Sequence, residues 1–402
     1  MSNLKLTLVK DLARHLRAGH PWVFKQAIAK APKLPAGAIV DIVDHGRFVA
    51  RGYFDPYSHI AVRVLTRDER ESVDAAFFRR RLARALSLRE ALLDRSESDS
   101  YRLVHGEGDG LPGVIVDLYS GFAVLKLYSA GLTPHRAIIL EALRAVVPGL
   151  KGIVGRDEVD CEPTEGEEGR PQGRTLWGED APELVAIRES GARFLVDVLT
   201  GQKTGFFLDQ RDNRRLVRDL ARGREVLNCF SYTGGFSVNA ALGGAKQVTS
   251  VDLDADAIAL ARRNFKENGL PAEAHDFLAA EVGEVLKLFA AQGRQFDLVI
   301  LDPPAYAKSQ RAVEAAVAGY ASLNRTALSV LKPGGILCTS SCTARVSGEA
   351  FLGAVKEAGF NAGVDLQLVH QRYQPPDHPV LLQFPEGRYL KFFVLWRAQS
   401  GL

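Results

Sequence analysis

The 402-residue chain predicts an α/β protein whose carboxy-terminal half is a doubly wound, mostly parallel sheet, preceded by a small β domain and an α+β domain. Three observations carry this expectation. From about residue 190, apolar runs of strand length alternate with helical patterns: EVLNCF, QVTSVDLD, FDLVILD and GILCTSS, with AIALARRNFKENG and YASLNRTALSVL among the intervening segments. That rhythm belongs to βαβ units and a parallel sheet. Residues 1 to 75 instead alternate short apolar runs with turns, which reads as a small β domain. The final runs in PVLLQFPEGRYLKFFVLWR meet across Pro385-Glu386-Gly387 and predict an antiparallel terminal hairpin at the sheet edge.

The length exceeds one ordinary core, since about 150 residues per domain is typical. The boundaries predicted are 1–75, 76–188 and 189–402. In the first segment LKLTLV, GAIVDIVD, RFVARGYF and HIAVRVLT are strand-like, with turns at His45-Gly46 and Asp55-Pro56. Trp22 and Phe24, in RAGHPWVF, are expected to fill the small core, and Arg17 and His20 beside them to face a substrate. From Phe77 to Leu93, leucines at helical spacing among basic residues predict a linking helix. The second segment reads strand (YRLVHG), strand (GVIVDLYS), strand (FAVLKLYS), helix (HRAIILEALRAVV), strand (GIVGRD), an α+β order. Cys161 to Gly178, rich in Glu, Gly and Pro, is expected to be an exposed loop without chemistry.

Hydrophobic content of 46% and charged content of 25% are those of an ordinary globular protein. No apolar run approaches the roughly 18 residues of a membrane helix. Charge interrupts the amino-terminal stretch every few residues, so no signal peptide is expected and the cytoplasm is the expected location. Net charge is only +3, but it is uneven. Residues 1–100 carry 18 Lys and Arg against 12 Asp and Glu, whereas residues 101–200 carry 10 against 16. The basic amino-terminal segment suits phosphate contact, although a solvated surface gives a similar bias. Cys161, Cys229, Cys338 and Cys342 form no CxxC and no Cys/His cluster with zinc spacing, so no metal site is expected.

The cofactor reading begins at NCFSYTGGFS, where Phe230, Ser231, Tyr232, Thr233 and Gly234 form a strand-to-helix turn. Glycine here lets the backbone approach a ligand closely. Asp252 ends the next strand 18 residues after Gly234, near the interval of roughly 20 at which an acid accepts ribose hydroxyl hydrogen bonds. Asp276 and Phe277 are candidates for holding an adenine, and equally a helix cap and a core aromatic. Upstream, GQKTGFFLDQRDNRR places Lys203, Gln210 and Arg211 ahead of the first strand of the sheet, in a segment read as lining the cofactor or base pocket. No GxGxxG or basic loop offers a diphosphate cradle. Adenosine without phosphates therefore fits, which points to S-adenosylmethionine.

The chemistry rests on order. Asp302 closes the strand FDLVILD in LDPPAY, and Cys342 closes GILCTSSC forty residues later. Both fall at the carboxyl edge of the sheet, where open α/β proteins bind ligands. Cys229 and Cys338 sit inside apolar runs and read as core. A thiolate adding to carbon 6 of cytosine makes carbon 5 nucleophilic enough to take a methyl group, and β-elimination then releases the product. Cys342 is the candidate nucleophile, Asp302 the group that stabilises ring nitrogen 3 and also borders the cofactor, and Tyr306 a platform for a base lifted from its stack. Two alternatives stay open: an amine methyltransferase that uses the DPPAY turn while Cys342 merely packs, and a non-catalytic RNA-binding protein.

HPWVF, YRLVHGEGDGLPG, GQKTGFFLDQR, VLNCFSYTGGF, LDPP, SSC and DHPV followed by FPEGRYLK together resemble the bacterial 23S rRNA cytosine-C5 methyltransferases of the ribosomal large-subunit methyltransferase I type. The resemblance spans nearly the whole chain. It implies a PUA domain over 1–75, a central α+β domain, and a class I Rossmann-like S-adenosylmethionine-dependent methyltransferase domain. It also implies Cys342 as nucleophile, Asp302 as its partner, Asp252 as the ribose acid, and Phe230 to Gly235 as the methionine-side loop. The partners implied are 23S rRNA or a large-subunit assembly particle, with no membrane; whether two copies pair as a homodimer is left open. The loop at 161–174 and the residues within DPPAY depart from relatives, which touches substrate detail more than chemistry.

Overall fold

The structure is a computed structural model that describes residues 3–29, 33–156, 172–307 and 310–398. It divides into two compact units. The first comprises Met1–Arg188, Val196–Leu208 and Pro376–Gly387, and the second Glu189–Leu195, Asp209–Pro375 and Arg388–Leu402.

The first unit opens with β1 (Leu4–Thr7), α1 (Ala13–Ala18), β2 (Trp22–Phe24), β3 (Ile39–Asp44), β4 (Arg47–Phe54) and β5 (Ile60–Thr66). The sheet order is β1-β3-β4-β5-β2, and Val23, Val40, Ile42 and Val62 form its interior. There follow α2 (Ala75–Leu92), β6 (Ser100–His105), β7 (Val114–Tyr119), β8 (Phe122–Leu127), α3 (Arg136–Val146), β9 (Gly152–Gly155) and β10 (Arg174–Gly178). Their strands make a second sheet in the order β10-β9-β8-β7-β6.

Helix α2 starts where the Asp74 side chain accepts the Phe77 N–H at 2.9 Å, a conventional amino-terminal cap. Its buried stripe of Phe78, Leu82, Ala85, Leu86 and Arg89 has helical spacing. Tyr53 and Leu65 of the first sheet join Phe77, Phe78, Leu82 and Val116 in one core. Arg89 is fully buried and is held by Asp109 at 2.8 Å, the Arg102 carbonyl at 2.8 Å and the Asp377 carbonyl at 2.7 Å. A buried guanidinium needs that degree of satisfaction.

Three expectations change here. Trp22 does not fill the small domain's core: its ring lies 4.5 Å from that of Phe384 and its indole N–H donates to Glu107 at 2.8 Å. Phe24 is 38% exposed. Of the expected loop Cys161 to Gly178, residues 161–171 lie outside the described residues, but Arg174–Gly178 is strand β10, antiparallel to β9. The terminal hairpin also differs. Residues 376–387 form no strand and belong to the first unit, where the Asp377 carboxylate accepts the Arg102 N–H at 2.9 Å.

A short ribbon, β11 (Val185–Glu189) and β12 (Ala192–Val196), precedes the second unit's α4 (Arg211–Leu220), β13 (Glu225–Cys229), α5 (Gly235–Leu242), β14 (Gln247–Asp252) and α6 (Ala255–Glu267). The chain continues through β15 (Asp276–Ala279), α7 (Val282–Ala291), β16 (Phe296–Leu301), α8 (Val313–Leu328), β17 (Leu331–Ser341), α9 (Gly348–Ala362), β18 (Leu366–Arg372) and β19 (Lys391–Arg397). The seven strands lie in the order β15-β14-β13-β16-β17-β19-β18. The first five are parallel, and β19 runs antiparallel to both β17 and β18. The edge hairpin is therefore β18–β19, with the Pro385 turn inside its long connection. Val248, Thr249, Ser250 and Val251 are all buried, as expected for a strand covered on both faces. The strand order reverses between β13 and β16, so the ligand crevice is expected at their carboxyl ends. Among the described residues no helix is long and apolar enough to cross a membrane.

Candidate active site

After β13 the chain turns sharply into α5. Phe230 and Tyr232 adopt left-handed backbone angles, φ 60° and 46°, which is uncommon away from glycine and concentrates at ligand-binding loops. Gly234, at φ 81°, is required on a second count: a Cβ there would lie 2.9 Å from that of Ala261. The Asp252 carboxylate accepts the N–H of Tyr232 at 2.7 Å and of Asp254 at 3.0 Å, tying the loop to the end of β14. Asp252 is itself half-buried.

Ser231 Oγ and Thr233 Oγ1 are buried without a hydrogen-bond partner among the described residues. Buried hydroxyls are nearly always satisfied, so two orphans in one loop fit a polar ligand such as an amino-acid moiety. With Asp252 at the neighbouring strand end, the loop suits S-adenosylmethionine. When bound, that cofactor supplies an electrophilic methyl group.

Asp276 and Phe277 are not at that edge. In the parallel β14–β15 register Asp276 pairs with Thr249 and Ala279 with Asp252, so Asp276 opens the strand rather than closing it. Its carboxylate is held by Arg294 at 2.9 Å and by Thr249 at 3.1 Å, and Phe277 packs 5.0 Å from Phe265. Ala280 and Glu281 follow the carboxyl end instead, with the Ala280 N–H bonded to the Asp252 carbonyl at 2.9 Å. Glu281 caps α7 through the Glu284 N–H at 2.8 Å. The sequence could not distinguish Asp276 from Glu281, because the length of β15 is not visible in HDFLAAEV.

Strands β16 and β17 bring Asp302 and Cys342 to the same edge of the sheet. In their parallel register Leu301 faces Thr339, so Asp302 follows one strand and Cys342 the other. Gln210 donates to Asp302 Oδ1 at 2.8 Å, and Ser340 Oγ donates to the same oxygen. Ser340 also bonds the Leu301 carbonyl at 3.3 Å. Cys342 Sγ lies 3.9 Å from the Pro303 carbonyl and is half-buried, whereas Cys229 and Cys338 are fully buried. Burial pushes both of those thiols well above the ordinary cysteine value, which leaves them inert.

Gln210, expected at the cofactor, thus reaches the Asp302 carboxylate, and Asn213 braces it at 2.6 Å. Arg211 is buried beside Asp212 at 3.4 Å. Lys203 falls in the first unit, exposed, with its ammonium 4.4 Å from the Phe207 ring centroid. Arg17 and His20 also belong to the first unit: Arg17 is exposed on α1, and His20 Nδ1 accepts the Trp22 N–H at 3.3 Å. Tyr306 stacks on Tyr320 at 4.6 Å, and burial raises its phenol to about 12. One ring face is therefore committed to packing.

Sequence reading missed Lys391. It pairs with Ser341 across β17–β19, is 2% exposed, and donates to the carbonyls of Thr343 at 2.7 Å and Tyr389 at 2.8 Å. Burial lowers its pKa to about 8, against the opposing pull of a negative Cys342. The signal in the sequence was weak: one lysine opening an apolar strand, KFFVLWR.

A strand-to-helix turn with buried hydroxyls, an acid ending the next strand, and a carboxylate and thiol ending the following two define a class of enzyme. Residues 166–386 match the family model for S-adenosylmethionine-dependent methyltransferases, and residues 6–67 match a PUA-like domain. A protein of Klebsiella pneumoniae subsp. pneumoniae named ribosomal RNA large subunit methyltransferase I is 42% identical over 392 residues, 97% of each chain. Its namesake from Escherichia coli O1:K1 / APEC is 41% identical over 98% of this chain and 99% of its own. Among solved structures, a putative methyltransferase of Streptococcus mutans superposes with a TM-score of 0.85 at 25% identity, covering 98% of this chain and 100% of its own. Another putative methyltransferase, solved in complex with SAH, shares the fold at 24% identity, with a TM-score of 0.85 and coverage of 98% and 100%. The chain is an S-adenosylmethionine-dependent methyltransferase with a PUA-like domain. Within that class it belongs to the ribosomal RNA large subunit methyltransferase I family.

Proposed function

We propose that this enzyme methylates carbon 5 of a cytosine in 23S rRNA through a covalent adduct on Cys342. The observation that carries the reading is the half-buried Cys342 thiol beside the turn that holds Asp302, at the carboxyl edge of β16 and β17. An amine methyltransferase needs no thiol there. The thiolate forms a bond to carbon 6, and Asp302, held by Gln210 and Ser340, stabilises or protonates nitrogen 3 as charge develops. Carbon 5 takes the methyl group; its proton then leaves to a base, the bond from sulfur to carbon 6 breaks, and aromaticity returns. The Lys391 ammonium, one register position from Cys342, supplies a cationic field that favours thiolate. Asp252 is assigned to the ribose and Glu281 to the adenosine end of the cofactor.

The ring faces of a paired cytosine are covered, so the target is an extruded or single-stranded nucleotide. Bisulfite sequencing of rRNA from cells carrying wild-type or Cys342→Ala protein tests the proposal. A site that loses 5-methylcytosine only in the mutant is expected. An unchanged pattern rejects Cys342 as nucleophile, and methyl groups found on an exocyclic amine reject the carbon-5 reading.

A further inference from the structure

Within the first unit, β5, α2 and the loop after β6 enclose a cleft of about 510 Å³. Leu65, Pro112 and Leu381 give it apolar walls, and Arg67, Arg81 and Arg84 stand along it. The positive charge is under-compensated. Arg67 donates to the main-chain carbonyls of Leu16 and His20, the latter at 3.1 Å, contacts that fix the guanidinium without neutralising it. Arg81 reaches Glu71 at 3.3 Å, but the same carboxylate binds Arg80 at 2.9 Å. Arg84 is exposed and forms no ion pair or hydrogen bond among the described residues.

Of the two acids along the cleft, Asp109 is paired with the fully buried Arg89 at 2.8 Å, while Glu107 accepts the Trp22 indole N–H at 2.8 Å, a neutral donor that offsets no charge. The three arginines therefore face one carboxylate not already paired with a cation. Burial and then the charge of Arg81 lower the pKa of Arg67. Burial also lowers that of Arg81, with Arg84 and Arg80 acting in the same direction. Burial is the main cause in both, Glu71 opposes it at Arg81, and the neighbouring guanidiniums add to it.

We propose that this cleft is a second RNA-binding site, which takes one single-stranded nucleotide with its phosphate among Arg67, Arg81 and Arg84 and its base against the apolar wall. The volume falls within the ~300–1,000 Å³ typical of clefts for single small ligands. Arginine is suited to both roles, as a fork for phosphate oxygens and a plane for bases. The inference rests on the proposed rRNA substrate and assigns it a contact distinct from the base-modifying residues.

Binding of in vitro transcribed 23S rRNA to the full-length protein is measured across a salt series for wild type, Arg84→Gln and Ser87→Trp. The first variant removes an exposed cation; the second fills the cleft from an exposed position of α2 and leaves the arginines in place. Each phosphate contact on single-stranded RNA contributes about −0.7 to the slope of log K against log salt. Ser87→Trp, which excludes the one phosphate, should flatten the slope by about 0.7, and Arg84→Gln, which leaves Arg67 and Arg81 beside it, by a part of that, with S-adenosylmethionine affinity and kcat at saturating RNA unchanged. Wild-type slope and affinity in both variants would overturn the site, as would displacement of the RNA by a free mononucleotide at equal concentration. Failure of the wild type to methylate 23S rRNA would instead sink the enzymatic reading and leave the cleft measurement standing.

Discussion

Lys391 stands opposite Ser341, one residue before the thiol, and its charge depends on pH in a defined way. Folded, it loses its proton at about 8; unfolded, it keeps the proton to its ordinary value near 10.5. Between the two the unfolded chain binds more protons, so stability rises with pH across that window. Urea midpoints of wild type and Lys391→Met should show this, with a flatter pH dependence in the variant. A second prediction separates the acids at the cofactor end. Hydrogen bonds to charged groups are worth about 1.5–3 kcal/mol, so Asp252→Ala should weaken S-adenosylmethionine binding by about 10- to 150-fold in calorimetry. Glu281→Gln should weaken it as well, whereas Asp276→Asn should leave it near wild type. The reverse order for the last two would restore Asp276 to the site. Asp302 and Cys342 were legible because each ends an apolar run at a fixed place in the βαβ rhythm. Lys391 was not, because its partner strand lies fifty residues away in sequence and only pairing reveals it.

Elements differ in how far their sequence speaks for them. The parallel strands were readable from apolar runs bounded by turns, and α2 from its stripe of leucines. The edge hairpin was misread because PVLLQF has the apolar content of a strand, yet Pro376, Pro379 and Pro385 withdraw backbone donors from it. Its role as partner of β19 falls to Leu366–Arg372, a largely exposed strand whose polar composition hid it. Helix α4 shows a different dependence. Arg214 and Glu189 are both nearly fully buried and pair at 2.6 Å. Removing one partner strands the other charge, at a cost of about 3–5 kcal/mol. Arg214→Met should therefore lower the unfolding midpoint of the second unit sharply, while exchanging both residues for apolar ones should recover much of the loss. Equal stability in Arg214→Met and wild type would show that the pair is solvated.

At the scale of the molecule, the sequence suggested three consecutive domains, and contacts gather the chain into two units with segments exchanged between them. The reason is physical: Tyr53 and Leu65 of the first sheet complete the core of the second, and the Tyr53 hydroxyl donates to the Pro112 carbonyl at 2.8 Å. Deleting residues 1–75 should therefore lower the solubility and melting temperature of the remainder, so the RNA contribution of the PUA-like sheet is better read from point variants. The central claim is the covalent path through Cys342, and trapping tests it directly. Full-length enzyme is incubated with S-adenosylmethionine and 23S rRNA transcribed with 5-fluorocytidine, whose fluorine blocks the final elimination. The account predicts a denaturation-resistant protein–RNA adduct that requires the cofactor and is absent from Cys342→Ala. Carbon-5 methylation of ordinary rRNA by Cys342→Ala at the wild-type rate would contradict it.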